Sequence, residues 1–370
     1  MRRPPRCPNR DCPNHRNPEG KFYVRHGTYR AQCRPQPIRR YRCKACRKTF
    51  SDQTFRGDRN DKKPHLIALV LRLLSSGVGF RFGSRMVGLS RRNYTRKARK
   101  LARVVSQLDA NLQLRARRQT LRSRSIRGVT IQMDELETYE ECRYSRPVII
   151  ANVIEAETRF QIASEVGSIR AKGKMTKRRV RQIKRDQERF GPRPDESPKA
   201  CVRAFERAAR LFPSPAPAHI QTDMRATYPK YIRAAFPGRA ITHTVTPGKA
   251  PRGFGTPLHP INLMEAICRD HLGRVRRESW LTSKRRRYLQ LFMDTHRAVK
   301  NWALSRFNRD LESPGQLLGF APRKLRFEEL FRWRQDWGQR SPCPFGDGRR
   351  SMLDLDWTRI SPGARIRVCA

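Results

Sequence analysis

Ile131-Gln132-Met133-Asp134-Glu135-Leu136-Glu137 is the stretch from which the architecture of this chain can be worked out. It follows the turn-forming pair Arg127-Gly128, and its apolar residues alternate with polar ones, which predicts a half-buried β-strand. Asp134 falls where the next apolar side chain should point inward. Burying a carboxylate is costly unless a cation pairs with it, so Asp134 is a candidate metal ligand. A solvent-exposed aspartate at the end of a strand is the alternative.

Further strands are expected on either side of this one in the sheet. The apolar run Pro147–Ile154 predicts a buried strand, and Phe160–Val166 predicts the next, with only a turn between them. Three sequential strands with short connections favour an antiparallel meander. A helix over 199–212 then leads to the short strand Ala218–Asp223, which such a crossover places parallel to a neighbour. With a fifth strand at Ala240–Val245, the sequence predicts an α/β domain.

Two more acids follow in positions that could meet Asp134. Asp223 ends the fourth strand, and Glu265 lies in the first turns of a helix that opens at Ile261 and is expected to continue to about Arg277. Neighbouring strands and a helix packed on the sheet can bring three such side chains together. Hard divalent cations prefer oxygen ligands, and three convergent acids suit a two-metal site for in-line phosphoryl displacement. We therefore expect Asp134, Asp223 and Glu265 to be catalytic and to hold Mg²⁺ or Mn²⁺.

The balance of charge indicates a polyanionic partner. The 370 residues include 82 Lys and Arg against 32 Asp and Glu, which gives a formal net charge of +50 and an isoelectric point near 11.4. Nucleic acid is the commonest partner of such proteins, and charge alone does not distinguish DNA from RNA. No apolar run approaches the roughly 18–20 residues of a spanning helix, and the residues after Met1 are not those of an export signal. We expect a cytoplasmic protein without a membrane partner.

Residues 1–56 contain five of the ten cysteines. In a reducing compartment cysteines favour metal over disulfides, and two close pairs about thirty residues apart can hold one tetrahedral ion. The predicted ligands of a structural Zn²⁺ are Cys7, Cys12, Cys43 and Cys46, with His15, His26 and Cys33 as substitutes. A zinc ribbon of this kind would stabilise a segment too small for a core, with Phe50 and Phe55 packed beneath it. An unstructured basic arm is the alternative.

Residues 57–108 predict a helix-turn-helix. Apolar residues from His65 onward follow a helical period, a short helix is expected over Phe80–Val87, and Ser90 is a candidate N-cap for a third helix reaching about Leu108. The first turns of that helix would contact base edges through Arg91, Arg92, Asn93 and Arg96. An ordinary three-helix bundle with solvated basic faces is the alternative.

Basic segments link and follow these parts. Residues 109–127 are expected to continue the third helix as a connector to the α/β domain, which spans residues 128–311. The dense positive charge of residues 170–190 predicts a helix or an arm along a phosphate backbone, with Lys177, Arg178 and Arg179 as contacts. One long helix is expected over residues 278–311, and residues 312–370 form a basic C-terminal tail.

Several short motifs of the chain are those of a known family. They are the Cys7-Pro8-Asn9 opening, the Cys-Lys-Ala-Cys segment Tyr41–Phe50, Met133-Asp134-Glu135, Thr222-Asp223, Asn262-Leu263-Met264-Glu265 and the basic segment Arg274–Lys284. With these motifs the chain resembles, over roughly residues 5–305, the DDE-type insertion-sequence transposases of bacteria, in particular the insertion-sequence-one kind with its zinc ribbon.

The resemblance implies an RNase H-like catalytic core that cuts transposon ends and joins the freed 3′-hydroxyl to target DNA. Asp134, Asp223 and Glu265 would be its metal-binding triad, in that order, and Lys284 would be a DNA contact in the basic segment. The implied partners are double-stranded DNA, as transposon ends and as target, and further copies of the chain in a homodimer or larger oligomer. The implied location is the bacterial nucleoid.

Two departures from the family pattern keep other interpretations open. The spacing from Cys7 to Cys12 is wider than the usual C-x-x-C, and Asn262 precedes Glu265 where some relatives have the reverse order. Asp270 could replace Glu265, or the third acid could be lost. The alternatives to a transposase are therefore a catalytically inactive DNA-binding regulator and an RNA-binding ribbon protein.

Overall fold

The computed structural model describes residue 4 and residues 6–122, 128–213, 218–251, 253–276 and 279–332. The end of the predicted connector, 123–127, and most of the predicted tail, 333–370, lie outside this part of the chain. Two compact units form: one contains the residues up to Leu69 and those from Glu328, and the other is Val70–Phe327. The finer domain division predicted from the sequence stays a prediction.

The first unit is built on a three-stranded antiparallel sheet. Its elements are α1 (Pro13–Arg16), β1 (Tyr23–Tyr29), β2 (Ile38–Cys43) and β3 (Thr49–Ser51), and the strand order is β1-β2-β3. Aromatic rings and cysteines form its core. Phe50 and Phe55 are each only 6 % exposed in that core, as the sequence predicts.

Three helices follow: α2 (Ile67–Leu74), α3 (Phe80–Met86) and α4 (Arg91–Arg122). The backbone N–H of Asn93 donates to Ser90 Oγ at 3.3 Å, which confirms Ser90 as the N-cap of α4. Helices α3 and α4 approach closely at Gly83, where an added Cβ would lie 2.5 Å from the hydroxyl of the buried Tyr94. The third predicted helix and residues 109–122 of the predicted connector form one continuous helix.

The second unit contains a five-stranded mixed sheet. Its strands are β4 (Thr130–Tyr139), β5 (Pro147–Glu155), β6 (Gln161–Ser168), β7 (Ala218–Asp223) and β8 (Ile241–Thr246), in the order β6-β5-β4-β7-β8. Strands β4, β5 and β6 are antiparallel, whereas β7 is parallel to β4 and β8 is parallel to β7. The meander, the crossover and the mixed α/β class predicted from the sequence are thus confirmed.

Seven further helices complete the described chain: α5 (Lys177–Phe190), α6 (Ser197–Leu211), α7 (Tyr228–Ala235), α8 (His259–His271), α9 (Arg286–Trp302), α10 (Pro314–Leu317) and α11 (Glu329–Arg332). Two predicted helices are too long. Helix α8 ends at His271 and not near Arg277, and the carbonyl oxygen of His271 accepts a hydrogen bond at 2.8 Å from the backbone N–H of Gly77, which lies outside the helix. No described helix has the length and apolarity to cross a membrane.

The helix expected over 278–311 is shorter because its ends are fixed by tertiary contacts. Helix α9 begins at Arg286, whose backbone N–H donates to Glu140 Oε2 at 2.9 Å. It ends at Trp302, and Lys300 Nζ donates to the carbonyl oxygens of Ser305 and Arg306 just beyond the last turn. The hydrogen-bond partners at the two ends of α9 could not be deduced from the helical period of its apolar residues.

A buried ion pair joins α4 to α9. The Arg297 guanidinium lies 2.7 Å from Asp109 Oδ2 and 3.0 Å from Asp294 Oδ1, and Trp302 Nε1 donates to Asp109 Oδ1 at 2.8 Å. All four residues are at most 1 % exposed, so the charges are shielded from water and must satisfy one another. The second half of α4 is therefore part of the core of the second unit.

Candidate active site

Asp134 and Asp223 are brought together by two parallel strands. The pairing of β4 with β7 aligns Thr130 with His219 and Gln132 with Gln221, and Asp134 and Asp223 each follow the last aligned pair by two residues. Neighbouring strands lie about 4.8 Å apart, and aligned residues of parallel strands share a face of the sheet. The two carboxylates line one small cavity of about 10 Å³, which is the room that one water or ion needs.

The backbone after each acid fixes its carboxylate. The N–H of Glu135 donates to Asp134 Oδ1 at 2.7 Å, and the N–H of Arg225 donates to Asp223 Oδ1 at 3.1 Å. Both acids are half-buried. The end of β8 and the loop after it also line the cavity, with Thr246, Pro247, Gly248, Ala250 and Pro251. One oxygen of each acid is thus held by the backbone at the mouth of this cavity.

Glu265 reaches the same face of the sheet from α8. Its helix packs on Leu136, Ile150 and Ile154. The side chains of these residues lie on the same face of the sheet as Asp134. Glu265 is 6 % exposed, and Asn152 Nδ2 donates to its Oε1 at 3.1 Å. Asn152 is paired directly with Asp134 between β5 and β4. Asn152 therefore lies between the first and third predicted acids.

The structure does not bring the three acids to the spacing of ligands around one ion. Asn262, one turn before Glu265, lines the cavity of Asp134 and Asp223 together with Leu258. Among the described residues, the one group of three or more acidic, histidine or cysteine side chains with ligand atoms within 4.8 Å of one another is elsewhere, at the cysteines. The alternative acid, Asp270, has a side chain 79 % exposed beside Arg276.

Sequence reasoning missed the side chains that support the acids. Gln132 accepts a hydrogen bond from the backbone N–H of Ile261 at 3.1 Å and donates to the carbonyl oxygen of Pro257, which ties the start of α8 to β4. Behind the sheet, Glu135 forms an ion pair with Arg225 and accepts from Cys201 Sγ at 3.1 Å. The sequence signal that could have identified such a supporting residue is a polar side chain inside an apolar run, as at Asn152.

The four predicted cysteines meet in the first unit. Cys7, Cys12, Cys43 and Cys46 have their sulfur atoms within 4.8 Å of one another, with Cys7 and Cys46 at 3.4 Å and Cys12 and Cys43 at 3.7 Å. This donor set fits a tetrahedral structural zinc ion, which four thiolates bind without an open position. The wider spacing of the first pair is accommodated because α1 begins directly after Cys12.

The predicted substitutes are not part of this group. His15 is buried, but its Nδ1 lies 2.7 Å from the carbonyl oxygen of Cys7, so it supports the loop and not the ion. Burial raises the pKa of Cys7 and of Cys12. Burial also acts to raise the pKa of Cys46, but hydrogen bonds from the backbone N–H of Lys48 and from Cys7 outweigh it and leave that pKa at about 7. Metal binding would therefore release protons.

The predicted DNA contacts of α4 lie at its exposed start. Arg91, Arg92, Asn93 and Arg96 are all exposed, and Arg96 Nη2 donates to Asn93 Oδ1 at 3.3 Å. Tyr94 points the other way, into the core, and burial raises its pKa to about 12. The N-terminal turn of α4 thus presents a basic surface on one side and packs against α3 on the other.

The other predicted contacts differ among themselves. Lys177, Arg178 and Lys284 are exposed, and α5 has no buried residue along its whole length. Arg179 is half-buried instead: its guanidinium donates to the carbonyl oxygens of Tyr144 at 3.1 Å and Lys174 at 3.2 Å. Arg179 therefore holds the loop before α5, whereas its two neighbours face water.

The chain was also compared with known proteins. No protein-family model matches the sequence, and a search of curated proteins found no match.

Proposed function

We propose that the chain is a DDE-type DNA transposase, which binds the ends of a mobile DNA element and cuts and joins DNA strands. The observation that carries the proposal is the position of Asp134 and Asp223. Each follows the last aligned pair of two adjacent parallel strands by two residues, and both line one cavity, while the helix with Glu265 packs on the same face of the sheet. Three acids separated by 89 and 42 positions in the sequence are thereby gathered at one region of the molecule.

An RNase H-like core is part of the proposal. It is supported by the sheet order β6-β5-β4-β7-β8, in which three antiparallel strands are followed by two that run parallel to the first of them. A helix-turn-helix is the second part, supported by the close crossing of α3 and α4 and by the exposed basic turn at the start of α4. The net charge of +50 supports a polyanionic substrate.

The acids would hold Mg²⁺ or Mn²⁺, which would activate the attacking oxygen and stabilise the leaving oxygen of the phosphodiester. In this chain, backbone N–H groups orient one carboxylate oxygen of Asp134 and one of Asp223. Asn152 orients Glu265.

Substitution of the first two acids tests the proposal. Asp134→Asn and Asp223→Asn should abolish Mg²⁺- or Mn²⁺-dependent nicking of supercoiled plasmid while leaving DNA binding intact. Asp270→Asn is the matched control, because Asp270 lies on the same helix as Glu265 but is exposed at its far end. Equal nicking by wild type and Asp134→Asn would reject the catalytic role.

A DNA-binding regulator without catalysis is the second candidate. It is favoured by Glu265, which is buried against Asn152 and does not line the cavity of the other two acids. This candidate predicts that wild-type protein binds duplex DNA and nicks none of it at any divalent metal concentration. Inverted repeats flanking the gene would favour the transposase.

A further inference from the structure

One face of the five-stranded sheet is apolar over some strands and polar over others. On the β5 and β6 side, apolar residues such as Ile150, Ile154 and Val166 pack under α8 and α9. On the side of β4, β7 and β8, this face is polar up to the two aspartates, whereas Leu136 beyond Asp134 packs under α8; the polar residues are Thr130, Gln132 and Asp134, then His219, Gln221 and Asp223, then Thr242, Thr244 and Thr246. A polar surface thus extends from the two aspartates toward the beginnings of these strands.

A cavity of about 440 Å³ opens on this polar surface. Gln132 and Gln221 are part of its wall, each two residues before an aspartate of the candidate active site. Two residues of a strand span about 7 Å, so the cavity begins one nucleotide-sized step from Asp134 and Asp223. Its volume falls in the range of pockets that bind small organic ligands.

The rim of the cavity presents an aromatic ring to water. Phe254 is 93 % exposed, and its ring meets His259 edge-on with 5.7 Å between ring centroids. An exposed phenyl ring gains most from a flat apolar partner, and every nucleobase has such a face. The adjacent Thr256 and Pro257 continue the same loop along the wall.

The wall supplies hydrogen-bonding groups for the edge of a base. Gln132 is fully engaged, because its Nε2 donates to Gln221 Oε1 at 2.7 Å and to the carbonyl oxygen of Pro257. Gln221 therefore has its oxygen occupied, and among the described residues no partner takes the N–H groups of its Nε2. An amide donor of this kind, beside the hydroxyl of Thr130, suits the acceptors of an unpaired base.

The charges of the lining argue against a phosphate as the occupant. The described lining contains no Lys or Arg, although the chain has 82 of them. It does contain Glu155 and Glu157, and the Glu155 carboxylate accepts from the backbone N–H groups of Glu157 and Thr158. An anionic backbone would be repelled here, whereas a neutral base would not.

We propose that this cavity receives one unpaired nucleobase of the DNA strand, next to the phosphate that lies at Asp134 and Asp223. The proposal rests on the proposed function, since it needs a DNA strand at the acids. The base leaves its stack, lies against Phe254 and is held at its edge by Gln221. The strand is thereby anchored one nucleotide from the reacting phosphate.

A DNA probe with an unpaired base tests this assignment on the full chain. A short duplex with 2-aminopurine in a single-stranded overhang is compared with the flush duplex of the same sequence. Wild type should change the 2-aminopurine fluorescence and bind the overhang duplex about tenfold more tightly than the flush one. Phe254→Ala should abolish both effects and leave binding of the flush duplex unchanged.

Two further experiments distinguish failure of the base-binding proposal from failure of the proposed function. Leu311→Ala removes another exposed apolar side chain, outside the proposed DNA contacts, and should keep the preference for the overhang. Photo-crosslinking of 5-iododeoxyuridine in the overhang to wild type should label the segment with Phe254 and His259. If Phe254→Ala binds and nicks DNA but keeps the wild-type preference for the overhang, the assignment of this cavity to a base is wrong while the proposed function stands. The same holds if crosslinks form only outside this segment. Failure to bind either duplex overturns the proposed function with it.

Discussion

Asn152 is a polar residue in the middle of an apolar strand, and its side chain connects distant parts of the candidate site. Its Nδ2 donates to Glu265 on α8, and its Oδ1 accepts from Ser164 Oγ at 2.8 Å on the next strand. Ser164 in turn accepts from Gln161 Nε2 at 2.7 Å. Because Asn152, Ser164 and Gln161 are fully buried, each hydrogen bond restricts the rotation of the next side chain. Glu265 on α8 is therefore held by a hydrogen-bond network that begins at Gln161 on β6 and passes through Asn152 on β5.

Removing the amide of Asn152 should weaken catalysis without weakening DNA binding. Loss of a hydrogen-bond partner of a metal-binding side chain typically costs about 10–100-fold in activity or metal affinity. We expect Asn152→Ala to lower the metal-dependent nicking rate by this factor and to raise the Mn²⁺ concentration needed for half-maximal rate. Asn111→Ala is the control, because that side chain donates to the carbonyl oxygen of Gln107 within α4. A metal requirement identical to wild type would contradict the assigned role.

His296 makes the stability of the second unit depend on pH. Burial, followed by the positive charges of His271 and Lys300, lowers the pKa of His296 from 6.5 to about 3. The folded state then stays neutral at this residue while the unfolded chain takes up a proton, so stability is lost as pH falls below the unfolded pKa. Urea unfolding followed by tryptophan fluorescence, to which the buried Trp302 contributes, should show a loss of roughly 1 kcal/mol per pH unit below about pH 6.5.

The contribution of His296 can be separated from that of the carboxylates. Carboxylates take up protons mainly below about pH 5, so the measurement belongs between about pH 7.5 and 5.5. His296→Gln should flatten the slope in that window by about one proton, and the exposed His26→Gln should leave it as in wild type. A slope that is the same in His296→Gln and wild type would mean that His296 is protonated in the folded state.

At the level of elements, the exposed helix α5 is the clearest candidate for contact with the phosphate backbone. It carries exposed Lys177, Arg178 and Arg181, and buries none of its side chains. Removing one cation that neutralises a phosphate should reduce the slope of log affinity against log salt by about 0.9. We expect Lys177→Ala/Arg178→Ala to weaken binding of all duplex sequences alike and to flatten this slope.

A surface arginine outside α5 provides the comparison. Arg210 on α6 is partly exposed and lies 3.7 Å from Glu206, so its substitution removes a charge that is already paired. Arg210→Ala should bind DNA with the wild-type salt slope. An unchanged slope in Lys177→Ala/Arg178→Ala would exclude α5 from the interface.

The cysteine group should determine whether the first unit folds. Its core consists of aromatic rings and the cysteines themselves, so metal binding and folding are coupled. Cys43→Ser should eliminate bound zinc in metal analysis and make the segment up to Leu69 sensitive to protease. Cys33→Ser, which removes a half-buried cysteine outside the group, should retain both zinc and protease resistance. Full zinc content in Cys43→Ser would contradict a four-thiolate site.

The sequence predicted strands and cysteines better than helix ends. Strand identity follows from alternation and turns, which are local, and the cysteine pairs are recognisable by spacing alone. The ends of α8 and α9 depend on Gly77, Glu140 and Ser305, whose proximity only the fold creates. Gly273 was a local signal for the end of α8 that the apolar period concealed. Asn152 was likewise recognisable as a polar residue inside an apolar strand, but its hydrogen bond to Glu265 depends on the fold.

At the scale of the whole molecule, charge is the dominant property. Cations exceed acids by 50 in 370 residues, and folding concentrates them in a smaller volume than the unfolded chain occupies. A polyanion that binds this surface should therefore raise the thermal midpoint, because it relieves repulsion and binds the folded state more tightly. We expect heparin to stabilise the protein far more than uncharged dextran, whose excluded-volume effect is only about 0.2–1 kcal/mol. Sodium chloride should weaken the effect of heparin while stabilising the protein by itself, since it screens charges over about 10 Å at 0.1 M. Equal midpoints in heparin and dextran would show that these charges are already balanced within the fold.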